Sequence, residues 1–151
     1  IGCSASMSSW ATNSYYRHFK DNYFTYIYKY IYFNIFIPKF PNPHLRANGL
    51  LFHSSDYLEF INNKTIRNKR KSLILESGNK SFTNFFKSKK YEIFVVNSDG
   101  KLFKEDDWKI SNTFAYKEQE KLLISDKDTR GYLDLNIKQK KKKQIMAWGY
   151  S

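Results

Sequence analysis

Residues 22–41, NYFTYIYKYIYFNIFIPKFP, restrict the fold more than any other stretch of the chain. Nine of these twenty residues are Tyr or Phe, so the segment must find apolar surface to cover. Read as a helix, it places Phe24, Ile27, Ile31 and Ile35 at i, i+3, i+7 and i+11, on one face. Tyr23, Tyr26 and Tyr30 make a second, amphipathic face. Pro38 ends the run, and Pro41 and Pro43 keep the neighbouring backbone extended. Tyr and Ile also alternate from Tyr26 to Tyr32, as in a strand, but strands rarely exceed about 10 residues. Helix is the expectation. It is about 16 residues long where a membrane span needs about 20, and Lys29 near its centre would cost about 2.5–3.5 kcal/mol in a bilayer. The helix is therefore expected to lie in an interface or against protein partners.

Net charge narrows the partners. The chain carries 26 basic and 14 acidic side chains, a formal charge of +12, which favours nucleic acid, an acidic protein surface or anionic lipid. Base composition supplies a competing cause. Lys, Asn, Ile, Tyr and Phe, all with A/T-rich codons, fill nearly half the chain, and Lys outnumbers Arg 21 to 5. Part of the lysine and aromatic excess thus reflects an A/T-biased genome. The 151 residues suit one domain, yet an apolar share of 41% and a mean hydropathy of −0.66 predict a thin core or one completed by a partner.

Cys3 is the single cysteine, which excludes an intrachain disulfide and a cysteine-based zinc site and fits a reducing compartment. The chain starts at Ile1, with Met7 a candidate original start after processing or addition. Residues 1–20 hold no acid and include Arg17 and Lys20, the composition of an organellar targeting segment, and they lack the apolar run of a secretory signal. Glycosylation-type triplets at Asn63 and Asn79 are expected by chance in so Asn-rich a chain.

Along the chain we expect an N-terminal arm (1–21), the aromatic helix with a Pro-rich irregular arm lying across a neighbouring subunit (22–53), a small body (54–137) and a basic C-terminal arm (138–151). Within the body, SSDYLEFINN reads as a helix capped by Asp56 with Glu59 in capping-box spacing. SLILES reads as a strand, and SFTNFFKSKK as a short helix or loop. The runs flanking Asn97-Ser98-Asp99-Gly100 predict a hairpin over 91–104. SNTFAYKEQEKLLIS predicts a helix capped by Ser111 or Asn112, with a turn after it at 127–131. The alternation of Leu133, Leu135 and Ile137 predicts a strand over 132–138. The expected class is α+β: a short antiparallel sheet, an aromatic N-terminal helix and extended basic arms.

Signals of catalysis are sparse. There is no glycine-rich phosphate loop and no Gly-x-Ser-x-Gly elbow, and His18, His44 and His53 lack helical metal-pair spacing. Glu105-Asp106-Asp107 lacks calcium-loop spacing, and His53 with Asp56 and Glu59 reads as a set of solvated polar side chains at a helix start. No catalytic residue, metal, cofactor or small-molecule substrate is expected. Binding signals are stronger. Lys64, Arg67, Lys69, Arg70 and Lys71 form one basic cluster, Lys87, Lys89 and Lys90 a second, and Lys138, Lys140, Lys141, Lys142 and Lys143 a third. Flexible cations meet phosphates, and the neighbouring Phe82, Phe85, Phe86, Trp148 and Tyr150 offer stacking surfaces. Trp148 and Tyr150 also read as a tip that docks in a partner, as the Ile27 face does. The expectation is a non-catalytic structural subunit of a large ribonucleoprotein assembly, of the organellar ribosomal kind, that contacts RNA and other protein subunits in a mitochondrion. The alternative is a peripheral subunit of a mitochondrial inner-membrane complex, its lysines against anionic headgroups.

Overall fold

The computed structural model describes residues 1–12, 22–62 and 64–150. Its α+β class agrees with the sequence: among the described residues, six helices of seven residues or more accompany two antiparallel two-stranded sheets. Strand β1 (Ala5–Ser6) pairs with β2 (His44–Leu45), Ala5 opposite Leu45 and Ser6 opposite His44. Strand β3 (Val95–Val96) pairs with β4 (Leu102–Phe103). Gly2 bridges both Leu50 and Val95, so the N-terminal residues run between the two sheets. A side chain at Gly2 would come within 2.8 Å of Leu45 Cδ2, which explains a glycine at this close approach.

Helix α1 (Tyr23–Phe36) forms as expected, with the Asn22 side chain accepting from the Thr25 N–H and Ile37 closing it in extended backbone. Its buried face is a different one from the isoleucine row. Phe33 and Ile37 join Ala11 in a buried cluster, flanked by Trp10, Tyr32 and Leu73. The row that periodicity selected stays outside: Phe24 is 83% exposed and Ile35 59%, Ile31 is exposed, and Ile27 is only partly covered. Two faces of this helix are apolar, and the core covers one. No helix among the described residues is long and apolar enough to cross a membrane.

The Pro-rich segment runs through the centre of the protein, where a surface arm was expected. Asn42, His44, Leu45 and Arg46 are buried. Their backbone is satisfied internally: Asn42 N–H donates to Met7 O at 2.9 Å, Leu45 N–H to Thr83 Oγ1 at 2.9 Å and Arg46 N–H to Ser4 O at 3.0 Å. These partners, from distant parts of the chain, let an irregular segment be buried without orphaned amides. The first residues are likewise no free arm, because Ser4, Ala5, Ser6, Ser9 and Ala11 are buried. The targeting-type residues Arg17 and Lys20 and the triplet residue Asn63 lie outside the described residues.

Helix α2 (Ser54–Ile61) has His53 at its cap, with no side-chain bond there; Asp56 sits inside the first turn, where Lys89 Nζ and Tyr91 Oη meet it. Helix α3 (Lys69–Ser77) replaces the expected SLILES strand. Asn68 caps it by accepting from the Lys71 N–H, and its consecutive apolar residues Leu73, Ile74 and Leu75 are each partly buried. Helix α4 (Phe82–Ser88) is capped by Ser81, and α2 and α4 meet through Phe60 stacked on Phe82 with ring centroids 4.3 Å apart.

The hairpin turns where expected. Asn97 Oδ1 accepts from the Asp99 and Lys101 N–H groups, and Gly100 takes φ +76°. Val95, Phe103 and Trp108 from this region form a core cluster with Ala5 and Leu45.

The expected helix over 111–125 is absent. Asn112, Ala115, Lys117 and Gln119 all have positive φ, and the buried Gln119 side chain accepts from the Ala115 N–H and donates to the Thr129 carbonyl. The expected strand over 132–138 is instead the junction of two helices, α5 (Lys127–Leu133) and α6 (Ile137–Trp148). Each opens with a reciprocal capping box, Asp126 with Thr129 and Asn136 with Gln139. The expected C-terminal arm is therefore largely α6, which lies on the body through Ala147, in a cluster with Phe114, Ala115 and Tyr132.

Candidate anion-binding face and polar cavity

The three basic clusters fare differently. In the second, Lys87 pairs with Glu105, and Lys89 bridges Asp56 and Glu59. Lys90 is exposed, with φ +64°, one residue beyond the Lys89 cap. Most of this cluster's charge is neutralised within the chain. In the first, Lys64 lies 3.4 Å from the Phe60 ring centroid and donates to the Phe60 carbonyl, and Arg70 covers the Tyr28 ring. Arg67, Lys69 and Lys71 are exposed and make no ion pair among the described residues. In the third, Lys140 donates to Glu118 Oε2 at 2.6 Å. Lys138, Lys141 and Lys142 border a groove with Phe40, Met146 and Tyr150, whose ring is 91% exposed. Trp148 is partly buried in its own chain, where its Nε1–H donates to Phe114 O at 2.9 Å.

The fold brings the first and third clusters together. Lys69, at the first turn of α3, and Lys143, on α6, line the same cavity of about 410 Å³. Neither helix was expected, so neither was this meeting. The cavity is lined by polar and apolar residues alike, with Trp10, Leu73, Phe114 and Met146 among the latter. Its wall includes the side chains of Ser8, His44, Arg46, Glu76, Asp126 and Asp128, and none of these was foreseen from sequence.

Arg46 organises one side. Its side chain is buried, its Nη2 lies 2.7 Å from Asp126 Oδ2 and 3.6 Å from Asp128 Oδ2, and its guanidinium carbon stands 3.9 Å from the Phe114 ring centroid. Its Nη1 is buried with no hydrogen-bond partner. Burial by itself would push the Asp126 carboxyl up, but the Thr129 N–H and the Arg46 charge outweigh it and hold the group below the ordinary Asp value. Burial pushes the Glu76 carboxyl up, against the opposing Ala47 N–H and Arg46, with Asp126 and Asp128 adding to the rise. His44 is 6% exposed. Burial lowers its pKa to about 4, with the Asn42 carbonyl opposing and Arg46 adding to the fall, so the ring is neutral at pH 7. Its Nδ1 lies 2.7 Å from the Asn42 carbonyl and must carry the proton. That leaves Nε2 as an acceptor with no partner among the described residues.

Two local patterns, unused in the sequence reading, encode elements beside this cavity. Asp126-x-x-Thr129 is a capping-box pattern, and Asn68 before a basic, then apolar, run is a helix start. His44 and Arg46 gave no signal, because their burial depends on segments distant in the chain, β1 from the N-terminal end and Asp126 from the start of α5. Among the described residues, no group of three His, Cys, Asp or Glu is placed to hold a metal ion. Comparison with known protein families, with curated proteins and with solved structures found no match.

Proposed function

We propose that this protein is a non-catalytic RNA-binding subunit of a large ribonucleoprotein assembly, of the organellar ribosomal type. One observation carries the reading: Lys69 and Lys143, from basic clusters far apart in sequence, line one cavity. Near them in the chain, Arg67, Lys71, Lys138 and Lys141 are exposed to solvent. Phosphates need exposed cations, and the exposed Tyr150 beside Lys138 and Lys141 offers a stacking surface. The +12 net charge steers an RNA toward them.

The test is a salt series. The quadruple variant R67Q/K71Q/K138Q/K141Q is expected to lower single-stranded RNA affinity at least tenfold at 50 mM salt, and to flatten the slope of log K against log salt by about 3, near 0.7 per contact removed. An unchanged affinity and slope would sink the proposal.

A second reading rests on the outward face of α1. Phe24, Ile31, Ile35 and Phe36 stand exposed on a helix rich in Tyr, the composition of an interfacial anchor. In this reading the protein is a peripheral subunit of a mitochondrial inner-membrane complex. Flotation with cardiolipin-containing vesicles checks it: the chain should float, and F24S/I31S/I35S should leave it in the soluble fraction. A chain that stays at the bottom of the gradient excludes it.

A further inference from the structure

A groove of about 510 Å³ is lined by α1, by α3 and by the residues just ahead of α3, a size within the roughly 300–1,000 Å³ of small-molecule sites. Tyr32 and Phe36 line it from α1, one turn apart, with ring centroids 4.8 Å from each other. Ile74 and Leu75 line it from α3, and Ile66 from the segment before the Asn68 cap. Asn79, just past α3, ties the two helices together: its N–H donates to Phe36 O at 2.9 Å and its Nδ2–H to Ile35 O at 3.1 Å. The charged residues of the lining are Lys64, Lys71 and Lys80, with no acid among them. Lys71 and Lys80 are exposed and form no ion pair among the described residues. Lys71 lies one turn from Ile74 and Leu75 on α3. Lys64 is engaged by the Phe60 carbonyl and ring, neither of which carries a charge to neutralise it. Burial first, and the nearby charge of Lys80 second, lower its pKa from the ordinary Lys value, as befits cations gathered without an acid.

A ligand that suits this groove carries an anionic group on an apolar chain. We infer that the groove takes an acyl chain of an anionic membrane phospholipid, whose head group is held by the lysines that line it. Three of the five apolar side chains are aliphatic, which suits methylenes better than the flat face of a base. Phe36 also belongs to the exposed apolar side chains of α1, with Ile31 and Ile35, so the groove continues the surface that the membrane reading lays on the bilayer. The choice of a lipid rests on that second reading. The inference adds to it that the protein selects lipids by head-group charge and by chain.

The probes are octyl and decyl phosphate, titrated calorimetrically into the full chain below their micelle concentrations, and phosphatidylcholine vesicles with and without cardiolipin. Decyl phosphate should bind saturably and roughly tenfold more tightly than octyl phosphate, since each buried methylene contributes about fourfold. K71Q/K80Q should weaken decyl phosphate at least about fivefold. F36S/I66S changes two exposed side chains and should remove the dependence on chain length. In flotation the parent should favour the cardiolipin vesicles about tenfold or more. If it floats equally with both vesicles, or if chain length and both variants leave phosphate binding unchanged, the inference fails and the membrane reading stands. If it floats with neither, the membrane reading fails and this inference goes with it. If K71Q/K80Q lowers single-stranded RNA affinity while the two alkyl phosphates bind equally, the lysines serve RNA and the inference is overturned.

Discussion

Arg46→Ala is expected to destabilise the protein by about 3 kcal/mol, the lower end of the range for breaking a buried ion pair. The lower end applies because Asp126 retains some solvent contact and keeps the Thr129 N–H as a partner. Three losses add together. Asp126 loses its 2.7 Å partner, the Phe114 ring loses the cation over its face, and Glu76 loses the positive charge that restrains its rise. Arg46→Met keeps much of the packed volume and should recover part of the loss. A double-mutant cycle with Asp126→Asn isolates the ionic part, expected at about 1–3 kcal/mol. Urea denaturation of the four proteins at pH 7 provides the numbers. A loss below about 0.5 kcal/mol for Arg46→Ala, the usual scale of surface substitutions, would mean that Arg46 does not organise this wall.

Acid should unfold the protein through His44. Its folded pKa of about 4 lies below the ordinary 6.5, so between these values the unfolded chain binds a proton that the folded one does not. Stability therefore falls as the pH drops from 6.5 to 4, by about 3 kcal/mol in total, and levels off once the folded ring is protonated too. Glu76 acts in the opposite sense, since its raised folded pKa favours the folded state as pH falls through the upper part of its shift. Asp126, held below its ordinary value, contributes only when the pH falls below that ordinary 3.8. Comparing His44→Gln with the parent separates these contributions. The parent should lose about 3 kcal/mol more than the variant between pH 7 and pH 4. Parallel pH profiles would show that His44 is not held neutral by the fold.

The features legible in the sequence obey local physics. The Asp99-Gly100 hairpin appeared because Asn97 and Gly100 set the turn locally, and Lys121 then holds it from outside through the Ser98 N–H and Asp99. Helix α1 appeared because Asn22 caps it and Pro38 lies just past its end. The α5–α6 region was misread because Leu133, Leu135 and Ile137 alternate by chance across a helix junction. The capping boxes of Asp126 and Asn136 outweigh that short alternation, since each satisfies two orphan groups at a helix start. In 111–125 the helical pattern failed because the Gln119 side chain ties Ala115 to Thr129, which fixes left-handed backbone at several residues.

The sequence by itself determined the mixed helix-and-sheet class, the aromatic helix, the hairpin and the excess of cations, since each depends on residues near one another in the chain or on composition alone. Only the tertiary structure decided which cations pair with acids of other segments and what the cations surround. Lys87 and Lys89 are drawn off by acids from other segments. Lys69 and Lys143 meet because α3 and α6 border one cavity. His44 is buried and neutral because β1 covers β2, and Arg46 is buried and paired because Asp126 arrives from the start of α5. Burial and pairing are sums over neighbours from the whole chain, and no local pattern of residues contains them.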